Sequence, residues 1–228
     1  MPININKELD SEKISSKNTT QRVEALADGI FSIILTLLVF DLRVPPLPTD
    51  QEENWLLLWK QLYLMWPQLL TFVFSFIILG IFWMGNRSHL SKIERTNRPY
   101  EFLTILFFFA VTLIPFGTKI LGKYYYNQTA IIFFSSIVFL AGALFVLKWR
   151  YAVHHELTYS SISNERIASV YKRSIVNPIC ALLAIGATFI DLSLAYVFFA
   201  LPVLYYVFPE QIETHLQKMK PHHRERGE

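Results

Sequence analysis

The 228-residue sequence contains few charged residues and a single cysteine. Asp, Glu, Lys and Arg make up 17% of the chain and hydrophobic residues 53%. A soluble domain usually carries about 25% charged residues, so the balance excludes a soluble core and indicates several membrane crossings. The one cysteine, Cys180, lies in an apolar run. It excludes an intramolecular disulfide and a thiolate metal cluster within one chain.

The sequence also lacks the short motifs that carry catalytic or nucleotide-binding chemistry. It contains no Walker A loop, no G-x-S-x-G motif, no H-E-x-x-H motif and no dinucleotide fingerprint. His154 and His155 are adjacent, whereas two helical metal ligands need the i, i+4 spacing. We therefore expect that the protein is not an enzyme and has no cofactor or resident metal.

Six apolar segments are long enough to cross a bilayer, since a spanning helix needs about 20 mostly apolar residues. The last two form a nearly continuous run, which as one helix would be about 50 Å long. The hydrocarbon core is only about 30 Å thick, so we predict a hairpin with a tight turn near Asp191. The predicted class is an all-α membrane protein with six transmembrane helices. These are residues 22–43, 62–85, 101–121, 129–149, 171–190 and 192–208.

Basic residues are distributed unevenly between the segments that join these spans. If the N-terminus is cytoplasmic, all but four of the 21 Lys and Arg residues lie on the cytoplasmic side. The positive-inside rule predicts this asymmetry, so both termini are expected in the cytoplasm. The basic residues behind the net charge of +3 are thus explained by the orientation of the chain in the membrane. We therefore expect no nucleic acid partner. The four outer basic residues are Arg43, Lys60, Lys119 and Lys123.

One membrane domain with two polar tails is expected. Residues 1–21 are predicted to be a disordered cytoplasmic tail, which lacks the apolar region of a cleavable signal peptide. Residues 22–208 are predicted to form the six-helix transmembrane domain, and residues 209–228 a charged cytoplasmic tail. Two aromatic clusters, in residues 55–66 and 124–126, are predicted to anchor the outer membrane interface.

The first predicted span reads RVEALADGIFSIILTLLVFDLRVP, and it carries charged residues within an apolar segment. A charge near the bilayer centre costs about 2.5–3.5 kcal/mol on insertion scales, so such residues usually face protein or water. A helical wheel of about 100° per residue separates two faces of this span. One face mixes small, hydroxyl and bulky apolar groups, which fits close helix packing or the lining of a symmetric axis. This surface, here called the Ile33 face, consists of Gly29, Ile33, Thr36, Leu37 and Phe40, with Ser32 at its edge.

Asp28 lies about 140° from Ile33 on this wheel, so we expect it to face neighbouring helices as a buried polar anchor. Four candidate partners lie at the same depth, near the cytoplasmic end of the second span: Trp83, Asn86, Arg87 and His89. Asn86 and His89 are three residues apart and share a helix face. Hydrogen bonds from such donors favour an ionised carboxylate. We predict a structural polar network of Arg22, Asp28, Asn86 and His89.

The first predicted span, residues 22–45, resembles the first helix of the transmembrane protein 175 family of potassium channels, in its single-repeat prokaryotic form. The family pattern is an Arg, then Phe-Ser-Asp, an apolar helix with a Thr, and often an acidic residue before Val-Pro. FWMGNRSHLSKIERTNRPY (82–100) and LIPFGTKILG (113–122) also look like family segments. In one departure, Leu26-Ala27 stands where the family has Phe-Ser. The matching residues are Arg22, Asp28, Gly29, Thr36, Leu37, Leu38, Asp41, Val44 and Pro45.

The resemblance implies a homotetramer whose first helices line a central potassium pore in a bacterial or archaeal cell membrane. By position, Ile33 corresponds to the family's apolar constriction, with Thr36 and Phe40 further outward. Four copies of Ile33 would form an apolar ring that gates by dewetting. The Thr36 hydroxyls would be the nearest groups able to accept a dehydrating K⁺. Asp41, at the outer mouth, would concentrate cations by focusing the field.

The sequence has no T-V-G-Y-G loop, which excludes a carbonyl filter of the kind used by other potassium channels. A continuous helix cannot offer its bonded carbonyls, so the pore lining must be side chains. Two other classes stay open. One is a proton- or cation-coupled secondary transporter using Asp28 and His89, and Pro115 and Pro202 do interrupt apolar spans as transporter helices do. The other is a scaffolding membrane protein.

Overall fold

A computed structural model describes residues 5–43 and 54–207, which fold into helices joined by short loops. Within these residues the chain forms no strand, and one isolated bridge joins Ile93 to Thr158. The first helix, α1 (Ile5–Leu37), continues directly into a 3₁₀ helix (Leu38–Asp41). The helices that follow are α2 (Trp55–Leu64), α3 (Trp66–Leu90), α4 (Arg98–Thr112), α5 (Ile114–Lys123), α6 (Gln128–His154), α7 (Asn164–Ala187) and α8 (Leu192–Val207).

Four helical stretches are long and apolar enough to cross a membrane, and each coincides with a predicted span. One of them joins α4 and α5, which are separated at Leu113. Pro115 lies in the first turn of α5, where its missing N–H is tolerated, and it prevents an unbroken helix. The described part of the chain is therefore an all-helical structure with four candidate spans. They are Thr20–Asp41, Trp66–Leu90, Arg98–Lys123 and Gln128–His154.

The fifth and sixth predicted spans correspond to α7 and α8, which form a hairpin. α8 is apolar but has only 16 residues, and α7 has 24 residues with a polar first half. The number of six spans therefore stays a prediction. The predicted turn near Asp191 is confirmed, because residues 188–191 leave the helix. There the Asp191 carboxylate accepts a hydrogen bond from the Ser193 N–H at 2.6 Å, as a helix N-cap does.

Two helical boundaries differ from the sequence-based predictions. Residues 5–21, expected to be disordered, belong to α1, because a nucleated helix extends into a polar segment at little further cost. Residues 62–64, expected to open the second span, belong to the separate helix α2. Pro67 in the first turn of α3 starts a new helix at that point. The predicted C-terminal tail lies outside the described residues. So do Val44 and Pro45, two of the residues that match the family pattern.

Both predicted aromatic clusters lie at one end of the helical bundle. A Cβ atom added at Gly122, near the end of α5, would lie 3.6 Å from the Cα atom of Gln68, near the start of α3. Trp66 and Tyr124, which flank these positions, are both exposed. The two clusters therefore occupy the same level, as a belt at one membrane interface requires.

The core is built largely from phenylalanine around α6, which packs against α4, α5 and α7. Phe82, Phe107 and Phe145 form a triangle with ring centroids 5.3–5.9 Å apart. Each such aromatic pair contributes about 0.5–1.5 kcal/mol beyond its buried area. α6 and α7 cross closely at Gly142, where an added Cβ atom would lie 2.7 Å from Pro178 Cδ. Only glycine fits at that crossing.

The α3–α4 and α6–α7 loops, both predicted to be cytoplasmic, are hydrogen-bonded to each other at the opposite end of the bundle. The Glu94 N–H donates to the Leu157 carbonyl at 2.9 Å, and the Tyr159 N–H donates to the Lys92 carbonyl at 3.2 Å. Asn97 caps α4 by accepting a hydrogen bond from the Tyr100 N–H at 3.0 Å. Local capping and cross-loop pairing together fix the ends of α3, α4, α6 and α7 relative to one another.

Candidate functional site

The first helix packs on the rest of the chain by one face only. Its buried residues recur at helical spacing, and Phe31 contacts Phe107 and Phe108 with ring centroids 6.3 and 6.5 Å apart. Of the residues in the apolar window of this span, 22% are buried, compared with 50% in the third and fourth candidate spans. The span is therefore a peripheral helix of the isolated chain. Its buried positions are Ala27, Phe31, Ile34 and Leu38.

The Ile33 face points away from this packed face, as the helical wheel predicts. The Ile33 side chain is 60% exposed and Phe40 is 73% exposed, and Thr36 and Leu37 are exposed as well. A Cβ atom added at Gly29 would meet no other atom within 4 Å. The face thus presents a continuous, largely apolar surface outside the core of the chain.

Thr36 presents its oxygen outward while its proton is occupied. The Thr36 hydroxyl donates to the backbone carbonyls of Ile33 at 2.8 Å and Ser32 at 3.0 Å. A hydroxyl has one proton and two acceptor lone pairs. Because the proton is directed at the helix backbone, the remaining lone pairs are left to accept from water or to contact a cation.

The C-terminal end of the first span departs from the predicted continuous α-helix. Over residues 38–41 it tightens into a 3₁₀ turn, in which residues three apart in sequence eclipse each other. Phe40 therefore lies directly above Leu37, and Asp41 lies above the buried Leu38. The Asp41 carboxylate is partly buried and pairs with the Lys119 amino group of α5 at 3.8 Å. Lys119 offsets the charge that Asp41 would contribute at an outer mouth.

Asp28 has a partner among the donors expected for it. The Trp83 indole N–H donates to an Asp28 carboxylate oxygen at 2.8 Å, and this bond joins α1 to α3. Asp28 is nevertheless exposed, in contrast to the expected buried anchor, and Arg22 is exposed one and a half turns earlier. Ala27, where the family pattern has Ser, is only 1% exposed. The lost hydroxyl is thus replaced by an apolar contact in the α1 interface.

Asn86 and His89 are buried, but their partners lie on other helices. The Lys148 amino group of α6 donates to the Asn86 side-chain oxygen, and His89 Nε2 lies 2.9 Å from the Ser174 hydroxyl of α7. The predicted four-residue network is therefore divided among separate contacts. Asp28 and His89, which the transporter hypothesis joins, have Trp83 and Ser174 as their hydrogen-bond partners.

Lys148 is the polar core residue that sequence reasoning missed. The sequence places it in a cytoplasmic segment, whereas the structure buries it completely. Its amino group lies 4.8 Å from the Phe107 ring centroid and 5.6 Å from that of Phe145, within the range of cation–π attraction. The available signal was a lysine inside the apolar run before Trp149, since charged residues within spans usually face the bundle interior.

We expect Asp28→Ala to weaken folding or assembly more than it changes ion selectivity, because the Asp28 carboxylate bonds to Trp83 and lies off the Ile33 face. Losing a hydrogen bond to a charged group costs about 1.5–3 kcal/mol. Trp83→Phe removes the same bond from the other side and serves as the matched variant. The measurement is the yield of intact protein by size-exclusion chromatography. Full yield together with an altered K⁺/Na⁺ permeability ratio for Asp28→Ala would contradict the assignment.

Residues 22–115 match the family described as endosomal/lysosomal potassium channel TMEM175. A potassium channel of Streptomyces collinus is 28% identical over 196 residues, covering 84% of this chain and 93% of that protein. The endosomal/lysosomal proton channel TMEM175 of Homo sapiens is 28% identical over 144 residues, covering 60% of this chain and 28% of that protein. A solved structure is also similar: the crystal structure of a homologue, from Chamaesiphon minutus, of the lysosomal potassium-selective channel TMEM175. The two structures superpose with a TM-score of 0.72 at 26% sequence identity. The match covers 83% of this chain and 97% of that chain.

Proposed function

The chain belongs to the TMEM175 family, and from this membership we propose that it forms a potassium-permeable cation channel. The two prokaryotic relatives described above carry potassium channel names, and both are matched over nine-tenths or more of their length. The protein is a multi-pass membrane protein of a channel family and not an enzyme. Its location in a bacterial or archaeal cell membrane and its six-span topology with cytoplasmic termini are part of the proposal.

The exposed Ile33 face is the observation that carries the proposal. An apolar helix face with a threonine hydroxyl, turned away from its own chain, fits a position around a central axis shared with other copies. Four chains placed in this way would form a homotetramer whose pore is lined by Ile33, Thr36, Leu37 and Phe40. The opposite face of the same helix is fixed by Phe31 and Leu38 in the core.

Side chains, and not backbone carbonyls, would select and gate in this pore. Four Ile33 side chains form an apolar ring, and such a constriction closes a pore by dewetting. Thr36 lies one turn further outward, and its oxygen is free to accept because its proton is bonded to the backbone. The permeant K⁺ would contact these oxygens transiently, with no resident metal. One ring of hydroxyls imposes little coordination geometry, so the K⁺ preference over Na⁺ would be modest.

The direct test is the reversal potential of purified protein in a planar bilayer under a K⁺/Na⁺ gradient at equal pH on both sides. We expect unitary currents that reverse towards the K⁺ equilibrium potential. Transport without unitary currents would favour an alternating-access carrier instead. Cross-linking is expected to give a tetramer, and a strictly monomeric protein would contradict a shared axis.

Thr36→Val is expected to reduce the K⁺/Na⁺ permeability ratio towards one while leaving the tetramer intact. Valine keeps the shape of threonine and removes the oxygen, so a dehydrating cation loses its nearest ligand. A change of about 1.4 kcal/mol in relative barrier corresponds to about tenfold in the ratio. Thr112→Val is the matched control, because Thr112 is an exposed threonine on α4 that also donates to its own helix backbone. An unchanged ratio in Thr36→Val would remove this residue from the selectivity mechanism.

A further inference from the structure

A cavity separate from the Ile33 face lies between α3, α7 and α8, at the end of the bundle that is predicted to be cytoplasmic. Its volume is about 360 Å³, within the usual range of small-molecule sites, which is about 300–1,000 Å³. None of its lining residues is acidic, and three of them, besides His89, are lysine or arginine. One wall is apolar and includes Met84, Phe145 and Val170. The basic residues are Lys92, Arg166 and Arg173.

Lys92 and Arg166 approach the cavity from two segments whose loops are joined by a backbone hydrogen bond. Lys92 follows α3, and its amino group donates to the Ser88 carbonyl at 2.6 Å and to the Ser88 hydroxyl at 2.8 Å. An ammonium group has three donors, so one remains for a ligand. Arg166 reaches the same cavity from the first turn of α7. The backbone pairing of the Lys92 carbonyl with Tyr159 keeps the two loops together.

The electrostatics of Lys92 indicate that the cavity has a surplus of positive charge. Partial burial, and then the positive charges of Arg166 and Arg173, lower the pKa of Lys92 from its ordinary value. Like charges held this close repel each other. A bound anion would relieve that repulsion while accepting hydrogen bonds from the same groups.

The cavity also contains a buried polar group whose hydrogen-bonding capacity is incomplete. The Ser174 hydroxyl donates its one proton to the Val170 carbonyl at 2.8 Å, so it accepts from His89 Nε2–H. The other ring nitrogen, Nδ1, is buried and has no hydrogen-bond partner in the described part of the chain. His89 is 1% exposed and lines this cavity.

We propose that this cavity binds a phosphate group, with Lys92 and Arg166 as its cationic ligands and with Ser88 and Ser169 also in its lining. A phosphate offers several acceptor oxygens to converging donors. The proposal does not depend on ion conduction by the protein. An apolar wall beside the cations, at the cytoplasmic membrane level, favours the headgroup of an anionic phospholipid, since basic pockets between helices bind such headgroups. A soluble phosphate compound has the same recognition chemistry.

The test is isothermal titration of the purified full-length protein in detergent with three probes. Dioctanoyl phosphatidic acid carries phosphate and acyl chains, dioctanoylglycerol carries the chains alone, and inorganic phosphate carries the anion alone. We expect phosphatidic acid to bind and dioctanoylglycerol not to bind. If inorganic phosphate also binds and competes, the source is a soluble phosphate compound. If it does not compete, the source is the lipid headgroup. Equal binding of both lipids, or no binding of either phosphate probe, would overturn the proposal.

Variants locate the bound phosphate in the cavity. Lys92→Gln with Arg166→Gln is expected to weaken phosphatidic acid binding by about tenfold or more, which corresponds to about 1.4 kcal/mol. Arg150→Gln is the control, because this exposed arginine of α6 lies outside the cavity lining. Ser169→Leu fills the cavity without changing charge and is also expected to block binding, so the test does not rely on the folding of the double variant. Wild-type affinity in both variants would place the phosphate elsewhere and contradict the site.

Discussion

Replacing Ile33 with Asn is expected to raise the leak current through the channel by about tenfold or more, because a polar ring keeps the constriction hydrated. An apolar constriction closes by excluding water, and lowering a barrier by about 1.4 kcal/mol speeds passage about tenfold. The measurement is macroscopic conductance per reconstituted protein in planar bilayers. The effect should appear in K⁺ and in Na⁺ alike, since hydrated ions would pass without selection.

Two further variants make this result specific to the proposed pore. Ile33→Val keeps an apolar ring and is expected to leave the closed state tight. Ile105→Asn makes the same exchange on α4, at an isoleucine that is 56% exposed in the isolated chain and lies outside the Ile33 face. We expect it to leave the conductance unchanged. Equal leak from both Asn variants would indicate a general membrane defect, and wild-type conductance in Ile33→Asn would remove this residue from the gate.

Asn86→Leu is expected to be strongly destabilising, because it leaves the buried Lys148 amino group without its oxygen acceptor. Breaking a buried polar pair from one side costs about 3–5 kcal/mol when a charge is left uncompensated. For a chain of this size each kcal/mol lowers the midpoint of thermal unfolding by about 2–4 °C. We therefore expect a decrease of at least about 6 °C, measured by differential scanning fluorimetry in detergent.

A double exchange separates the broken pair from a general packing defect. Asn86→Leu combined with Lys148→Met replaces both polar groups with apolar groups of similar size, and such replacements are often neutral. The double variant is therefore expected to recover most of the lost stability, which a double-mutant cycle quantifies. Asn164→Leu, at the exposed first residue of α7, is the control for the exchange itself. A double variant less stable than Asn86→Leu alone would show that the pair does not act as a unit.

The helical architecture follows from hydropathy alone, since the four candidate spans were each predicted within a few residues. The α7–α8 turn was also predictable, because a single helix of that length exceeds the bilayer thickness. The helix over residues 5–21 and the separate helix α2 could not be predicted from hydropathy. Polar composition predicts neither helix nor disorder by itself when a neighbouring helix supplies the nucleus.

The candidate site was predicted in part. The helical period of 3.6 residues fixes which side chains of the first span share a face, so the separation of Ile33 from the buried Ala27 and Leu38 was accessible from sequence. The bond from Trp83 to Asp28 was among the contacts expected from their common depth. The pairing of Asp41 with Lys119 could not be predicted, because it depends on the 3₁₀ turn at residues 38–41 and on the position of α5.

The sequence by itself determined that this protein crosses a membrane, which segments are helical, and which residues lie together on one side of the first helix. These properties depend on composition and on periodicity along the chain, and both are local. Only the tertiary structure decided which helix receives each buried polar group, as with Asn86 and Lys148 or His89 and Ser174. It also brought Lys92 and Arg166 to one cavity. Such partners are many residues apart in sequence, and only the packing of the helices sets the distance between them.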